Sequence, residues 1–175
     1  DGEVEWATSI GGSGDDQIES ISKTSDGGVI AGGYFQSSSI QIGNYTLTNS
    51  GGNDGMIIKY SRTGEVEWAR KEGASDDERI QSVAETSDGG YIAGGYFQSS
   101  SIQVGEHTLT NSGIYDGMII KYTVKGEVEW ARNVGGSNSD YINSVSESSD
   151  GGVIAGGYFR SSEIQVGDYT LINNN

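Results

Sequence analysis

Short apolar segments, some alternating with polar residues and some continuous, follow one another along the chain, and no segment has convincing helical periodicity. In Glu-Val-Glu-Trp-Ala-Arg, Val66 and Trp68 share one face of an extended chain, whereas Glu65 and Glu67 share the other. This alternation predicts a half-exposed strand. The continuously apolar Met-Ile-Ile at 56–58 is typical of a strand that is covered on both faces. The pattern therefore predicts an all-β protein.

Turn signals divide each part of this pattern into four strands and one small hairpin. Ser-Asp-Gly-Gly at 87–90 predicts a tight turn between the first two strands. The segment 102–109 is split by Gly105-Glu106 and predicts a short hairpin inserted after the second strand. Val-Lys-Gly at 124–126 turns the chain again. In the middle of the chain the predicted strands, called A, B, C and D, are 80–86, 91–97, 118–122 and 127–132.

The same sequence words return at a constant interval of 62 residues. Glu-Val-Glu-Trp-Ala begins at 3, 65 and 127, Ser-Asp-Gly-Gly at 25, 87 and 149, and Gly-Gly-Tyr-Phe at 32, 94 and 156. We therefore interpret the chain as one repeat domain, residues 1–175, with units at 2–63, 64–125 and 126–175, the last of them incomplete. A unit of this length suits a four-stranded element with an elaborated loop.

Taken in order, these words and Gly-Asn-Asp-Gly-Met-Ile-Ile-Lys-Tyr resemble the bacterial β-propeller repeats called SBBP repeats, over the whole chain. The resemblance implies tandem four-stranded antiparallel blades of a partial β-propeller, because fewer than three copies are too few for a closed ring. It also implies an exported or cell-surface bacterial protein. The family has no single activity and no shared catalytic residues, so the resemblance bears on the fold more than on the function.

Ala31-Gly32-Gly33 places almost no side chain in the middle of strand B, which is costly unless a large ring or another backbone packs there. The tryptophans at the common repeat position are the predicted fillers. These are Trp6, Trp68 and Trp130. The alternative interpretation, a platform on which sugars stack, is less favoured, because one tryptophan at the same strand position in every copy is typical of a core.

Composition narrows the function classes. The chain has 29 glycines, no proline, no cysteine and a formal net charge of −15. Disulfides and thiolate metal sites are excluded, and nucleic acid or anionic lipid is an unfavourable partner for this charge. No apolar run approaches the roughly 20 residues of a membrane span, so no membrane insertion is expected. The first residues lack the pattern of a signal peptide, and any export signal is expected to lie outside this sequence or to have been removed.

In an antiparallel meander, the B–C and D–A connections share one edge, which here carries the long loops and is the predicted binding face. Acidic residues cluster in its D–A loops. They are Asp15, Asp16, Asp76, Asp77, Glu78 and Asp140. Calcium binding is one interpretation, but the spacing of an EF-hand is missing, and solvated or turn-capping acids are favoured. Asp54 and Asp116 each precede a glycine and open strand C, where turn hydrogen bonds are expected rather than a metal.

The candidates for catalysis are weak. Paired carboxylates can hydrolyse glycosides, but repeated acids in similar loops lack the unlike environments that an acid and a base require. His107 is the only histidine and replaces Tyr45 and Tyr169 at the same repeat position, which favours a surface hairpin substitution over a catalytic base. No Gly-x-Ser-x-Gly motif or phosphate-binding loop is found. We therefore assign no catalytic, cofactor-binding or metal residues.

Three functions remain open at this stage. The first is a non-enzymatic module that presents its long-loop face to a protein or glycan ligand. The second is a purely structural or self-assembling spacer, and the third, weaker one is a fragment of a propeller glycoside hydrolase. A predicted strand D beginning at Glu3 and a third copy without its strand C would leave uncovered sheet edges. We therefore expect a homo-oligomer or part of a longer repeat array.

Overall fold

The computed structural model describes residues 2–174, and their regular structure consists of β-strands alone. All strands that pair do so in antiparallel fashion. They are β1 (Asp16–Lys23), β2 (Val29–Phe35), β3 (Ser39–Ile42), β4 (Tyr45–Thr48), β5 (Asp54–Tyr60), β6 (Val66–Glu72), β7 (Glu78–Glu85), β8 (Tyr91–Phe97), β9 (Ser101–Val104), β10 (His107–Thr110), β11 (Asp116–Tyr122), β12 (Val128–Val134), β13 (Asp140–Glu147), β14 (Val153–Phe159), β15 (Glu163–Val166) and β16 (Tyr169–Ile172). The all-β prediction is confirmed, and residues 2–174 contain no helix that could cross a membrane.

The strands form two four-stranded sheets and one two-stranded sheet. The first sheet has the order β1-β2-β5-β6, the second has the order β7-β8-β11-β12, and the third consists of β13 and β14. Three separate hairpins, β3–β4, β9–β10 and β15–β16, each follow the second strand of a sheet. The predicted succession of strands A, B, C and D, with a hairpin inserted between B and C, is thus confirmed in the first two sheets.

The tight turns form where the glycine pattern placed them. Between β1 and β2, Thr24 N donates to Gly28 O at 3.0 Å, and Gly27 has a φ of 85°, a conformation that glycine adopts without strain. The buried ammonium of Lys59 lies behind this turn, 2.9 Å from Asp26 and 3.3 Å from Glu67. Lys121 repeats the arrangement in the second sheet. Each lysine therefore ties strand C to the A–B turn of its own sheet.

The central strands are buried as their continuous apolar patterns predict. Every residue of β5 is buried, and all but one residue of β11. In the half-exposed strand β6, Trp68 is buried while Glu67 is exposed, in agreement with the alternation.

The glycines of strand B accommodate the next sheet rather than a tryptophan. A Cβ added to Gly32 would lie 2.6 Å from Ile80 and 2.7 Å from Val83, which belong to the first strand of the second sheet. The equivalent Gly94 is covered by the third sheet in the same way. The prediction that Trp6, Trp68 and Trp130 fill this space is therefore wrong. Aliphatic side chains of the following sheet approach the glycine backbone instead, which brings adjacent sheets close together.

The tryptophans pack nearer the turns. Trp68 is 8% exposed, its ring lies 5.6 Å from Tyr91 and 6.3 Å from Tyr122, and its Nε1 donates to Val124 O at 3.2 Å. The interpretation of Trp68 as a core residue is confirmed. Trp6 is half-buried and stacks on Tyr60 with ring centroids 5.7 Å apart.

The predicted strand D at Glu3 does not form. Residues 2–15 contain no strand, and the first strand begins at Asp16. Residues 3–7 have the same sequence as their later copies, but a strand forms only when its backbone groups find a partner. β6 pairs with β5, and β12 pairs with β11, whereas no strand C precedes Glu3 among the described residues. The same sequence word is therefore part of a strand in two copies and of a segment without strand pairing in the first.

Polar contacts join the sheets at two levels. The hydroxyl of Ser20 accepts a hydrogen bond from Val83 N at 3.2 Å, and Ser82 accepts one from Val145 N at 3.1 Å. Nearer the A–B turns, Glu85 accepts two hydrogen bonds from Ser25, and Glu147 accepts two from Ser87. The first strand of each following sheet is thus held to the preceding sheet by aliphatic and polar contacts together.

One acidic side chain lies between the first two sheets. Glu72, at the end of β6, is 3% exposed, and Tyr122 of the second sheet donates a hydrogen bond to its Oε1 at 3.0 Å. Burial raises the pKa of Glu72 to about 7, although the hydrogen bond and the charges of Arg70 and Lys71 act in the opposite direction. The other two copies have Ile10 and Val134 at this position.

Candidate functional site

The acids at the long-loop edge shape the loops themselves. Asp16 accepts hydrogen bonds from Gly12 N at 2.7 Å, from the hydroxyl of Ser37 at 2.5 Å and from Ser37 N at 3.1 Å. Burial opposes ionisation, but these hydrogen bonds outweigh it and lower the pKa of Asp16. The carboxylate therefore joins the loop before β1 to the loop after β2.

The same bridge is found in the other copies. Glu78 accepts hydrogen bonds from Ala74 N at 2.7 Å and Ser99 N at 3.0 Å, and Asp140 accepts one from the hydroxyl of Ser161 at 2.7 Å. These three acids are turn-capping residues, which was the favoured interpretation. Within residues 2–174, no group of three or more His, Cys, Asp and Glu side chains is placed to hold a metal ion.

The two aspartates that open strand C form the expected turn hydrogen bonds. Ser50 N donates to Asp54 Oδ2 at 2.8 Å, and Ser112 N donates to Asp116 Oδ2 at 3.1 Å. Burial raises the pKa of both carboxyl groups. Lys71 lies 3.2 Å from Asp54.

His107 lies on the inserted hairpin, as expected from its repeat position. Its Nε2 is 3.3 Å from the carbonyl oxygen of Glu129, and Tyr45 O–H donates to the equivalent carbonyl of Glu67 at 2.6 Å. Both side chains therefore fasten the hairpin to strand D, which gives His107 a structural role.

A cleft of about 390 Å³ lies across the first strands of all three sheets, near their long-loop ends. Each sheet contributes one residue from the same repeat position, namely Glu19, Gln81 and Asn143. These three residues occupy β-bulges, where the pairing registers skip from Ile18 to Ser20 and at the equivalent points in β7 and β13. A bulge redirects a side chain out of the regular alternation, which is why this position can face an open cleft.

Tyrosines form the other wall of the cleft. Tyr96 packs on the edge of Tyr141 at 4.7 Å between centroids, and Tyr141 stacks on Tyr158 at 4.8 Å. Tyr115 closes the cluster at 5.4 Å from both Tyr96 and Tyr141. Burial raises the pKa of Tyr96 to about 12, and its hydroxyl group is protonated at neutral pH as in any tyrosine.

Two polar atoms near this cluster have no hydrogen-bond partner within residues 2–174. They are Gln81 Oε1, in the lining of the cleft, and Arg79 Nε, whose guanidinium lies 3.9 Å above the ring of Tyr34. Buried polar atoms without partners are rare in proteins and often mark a place where water or a ligand binds. The Gln81 side chain lines the cleft, and its buried amide oxygen is an acceptor without a partner.

None of the predicted loop acids lines this cleft, and sequence reasoning missed the residues that do. The missed signal lies in the comparison of the copies. Most positions are identical in all three, yet the cleft position reads Glu, Gln and Asn, and the position two residues earlier reads Gln, Arg and Tyr. Those earlier residues are Gln17, Arg79 and Tyr141. Positions that differ in every copy are a minority, and this pair is among them.

The comparisons with known proteins supply no family. No family model matches the chain, and no curated protein matches it.

Proposed function

We propose that this chain is a non-enzymatic binding module of an exported or cell-surface bacterial protein, built from blades of a β-propeller. The resemblance to SBBP repeats supports the location and the blade interpretation. Two features of the fold agree with blades: strand order follows sequence order in each four-stranded sheet, and the first strands of successive sheets pack against one another.

The single observation that carries the binding function is the cleft formed by Glu19, Gln81 and Asn143. Three nearly identical units place a different polar residue at this one position, and the three residues converge beside a tyrosine cluster. Other positions also differ in every copy, such as Ser9 and Asn44 with their equivalents, but they do not line the cleft. Three different polar side chains on one concave, partly aromatic surface suit recognition of an asymmetric ligand.

Of the two ligand classes that the sequence left open, the cleft favours a glycan over a protein. Its volume is in the range of small-ligand sites rather than of a protein interface. Amide groups and tyrosine hydroxyls match the hydrogen-bonding groups of a sugar, and tyrosine rings supply an apolar surface for its C–H faces. The net charge of −15 favours a neutral or cationic glycan over an acidic one.

A glycan array followed by calorimetry on the strongest hit tests this proposal. Asn143→Ala and Tyr158→Ser should each weaken binding at least about tenfold, a loss of about 1.4 kcal/mol. Tyr169→Ser is the matched control, because Tyr169 is exposed on the β15–β16 hairpin and does not line the cleft. Equal affinities for all four proteins, or an array without any hit, would remove the glycan assignment.

The same cleft bears on catalysis. Glu19 is the only carboxylate among its described lining residues, whereas glycoside hydrolysis uses a pair. We therefore expect no release of reducing sugar from any polysaccharide that the protein binds. A steady turnover that Glu19→Gln abolishes would contradict the non-enzymatic proposal and favour the hydrolase alternative.

The structural or self-assembling spacer remains a second candidate because of a separate observation. The outer face of the third sheet is apolar and exposed, and Ile154 and Tyr158 both lie on it. A chain that associates in solution but binds nothing on the array would favour this candidate over the glycan-binding module.

A further inference from the structure

The third sheet has an uncovered apolar face. Ile154 of β14 is 56% exposed, whereas the equivalent Ile30 and Ile92 are fully buried. Beside it lies Gly156, where an added Cβ would meet no atom within 4 Å among the described residues. A groove of about 360 Å³ lies at the open edge of β14, lined by Ile119 and Val134 of the second sheet and by Phe159, Ile164 and Leu171.

The first two sheets show what covers such a face. Above Gly94, the covering side chains are Val145 and Ile142, which lie 2.5 Å and 2.9 Å from the position of an added Cβ. Above Gly32 they are Val83 and Ile80. In both cases the covering element is the first strand of the next unit, and it packs mainly on the first two strands of the sheet below. The third sheet has both of those strands and lacks only the third strand, which contributes a smaller part of the contact.

The chain also carries an unused copy of the covering strand. Ile21 of β1 occupies the repeat position of Val83 and Val145, yet it is 70% exposed, whereas each of the two valines is 5% exposed. Ile18 of β1 corresponds to Ile80 and Ile142. The chain therefore has two unused surfaces. Strand β1 is equivalent to the strands that cover a preceding sheet but covers none itself, and the β13–β14 face is equivalent to the faces that such strands cover.

At each seam, the contact between the first strand of one unit and the sheet before it, a serine hydroxyl also accepts a hydrogen bond. This polar contact is available on the third sheet as well. Ser144, which is exposed on β13, is the repeat equivalent of Ser20 and Ser82, whose hydroxyl groups accept the backbone N–H of Val83 and Val145. A β1 strand docked in the same way would present Ile21 N–H to Ser144. The hydroxyl group would then gain the donor that its two equivalents already have.

We propose that the β13–β14 face is a docking surface for β1 of a second copy of this chain. The interface is heterologous, since β1 of one copy meets β13–β14 of the other. It reproduces the two seams within the chain, with Ile18 and Ile21 seated over Gly156 and with Ile21 N–H bonded to Ser144.

One residue makes this joint weaker than the internal seams. Glu85 and Glu147 each accept two hydrogen bonds from a serine of the preceding unit, whereas β1 has Lys23 at this position. Ser149, the equivalent serine of the third unit, therefore meets Lys23 rather than a carboxylate at the joint. We expect association that depends on concentration rather than a permanent complex.

Sedimentation velocity from about 1 to about 100 μM, the range in which weak protein contacts dissociate, tests the proposal. The wild-type chain should sediment as larger species than its 18.4 kDa monomer as concentration rises. Gly156→Val should remain monomeric, because its side chain has space in the monomer but occupies the site of Ile18 and Ile21 in the joint. A thermal melt like that of the wild-type monomer establishes that this variant is folded.

A complementation experiment identifies the partner surface. Ile21→Ser should also be monomeric, since it removes the covering side chain and leaves the β13–β14 face intact. When the two variants are mixed, the intact β1 of Gly156→Val can dock on the intact face of Ile21→Ser, and a one-to-one pair should appear. Val124→Ser is the control, because Val124 is an exposed apolar side chain in the turn between β11 and β12 and belongs to neither surface, so its loss should leave association unchanged.

Three results would overturn the proposal. A wild-type chain that stays monomeric throughout the range would assign the face to another occupant, such as a further repeat unit or a different protein. Association that persists in Gly156→Val would place the contact elsewhere. Two monomeric variants that fail to pair with each other would exclude a joint between β1 and β13–β14.

Discussion

Trp68 and Trp6 have the same repeat position but different surroundings, and the difference is set by their neighbours. Trp68 lies between Tyr91 and Tyr122 and donates a hydrogen bond to a backbone carbonyl. Trp6 is half-buried and stacks on Tyr60. The energy of a buried ring depends on the contacts that are lost when it is removed, so the same substitution should have unequal effects.

We predict that Trp68→Ala lowers the free energy of unfolding by about 3–5 kcal/mol, as is typical for a large buried side chain. Trp6→Ala should cost clearly less, because part of its ring already contacts water. Thermal or urea denaturation of the two variants beside the wild type provides the measurement. Equal losses would show that the N-terminal segment is held as firmly as β6.

Glu72 makes the stability of the protein depend on pH. Its pKa is about 7 in the folded protein and 4.5 in an ordinary environment, so the folded state binds the proton more tightly. The contribution of this group to stability is fully present below about pH 4.5 and is lost as the pH rises through 7. The free energy of unfolding should therefore fall over this window, by on the order of 1–3 kcal/mol.

Glu72→Gln should remove this part of the pH dependence, because the amide does not titrate and still offers an oxygen to the Tyr122 hydroxyl. Denaturant melts at several pH values between 4.5 and 7 measure the difference between variant and wild type, in which the other titrating groups cancel. Glu65→Gln, at an exposed position, should keep the wild-type slope. A parallel slope in Glu72→Gln would mean that Glu72 is ionised in the folded protein.

At the level of elements, the seam between sheets is made by the first strand of one unit lying on the glycine backbone of the unit before it. β7 and β13 are edge strands, and just past their bulges the N–H groups of Val83 and Val145 each donate to a serine hydroxyl in the preceding unit. The seam is therefore specified by backbone geometry as much as by apolar contact.

We predict that Ser82→Ala costs about 1–2 kcal/mol of stability, because it leaves Val145 N–H without its acceptor. Ser144→Ala is the matched substitution at the exposed end of the array and should be nearly neutral in the monomer. Chemical denaturation at a concentration low enough to keep the chain monomeric measures both. If the two variants were equally stable, water would be replacing the serine hydroxyl in the seam.

At the level of the whole molecule, order should decrease from the middle of the chain toward the third unit. β5 and β11 lie within four-stranded sheets and are buried, whereas β16 is exposed along its whole length. Hairpin β3–β4 packs against β6, and β9–β10 packs against β12, but β15–β16 has no strand D of its own unit among the described residues. The three hairpins are nearly identical in sequence and differ mainly in this support.

We predict that amide hydrogen exchange in β16 is at least about ten times faster than in β4, although both strands form the same hairpin. The slowest amides should lie in β5 and β11. Mass spectrometry of peptides from a dilute sample makes the comparison within one molecule. Similar protection of β4 and β16 would show that the hairpin is stable by itself, without the support of strand D.

Much of the fold follows from the sequence because its determinants are local. Alternation distinguishes a half-exposed strand from a covered one, and Gly27 and Gly43 have the positive φ that their turns require. Asp16 caps the two neighbouring loops, in which Gly12 and Ser37 donate to its carboxylate. The sequence repeat identifies both loops. Strand succession, the inserted hairpin and the loop acids could therefore be read from the order of residues along the chain.

What only the tertiary structure decided involves residues about 60 positions apart. Ile80 and Val83, rather than tryptophan, cover Gly32. Glycine has no side chain, so the two sheets pack closely at this point and leave room only for aliphatic groups of the next strand. Glu19, Gln81 and Asn143 meet in one cleft only because three bulges align when the sheets stack. The local sequence pattern determines which segments can become strands. The contacts between units determine which of the equivalent segments pair with another strand, which are covered by another sheet and which stay exposed.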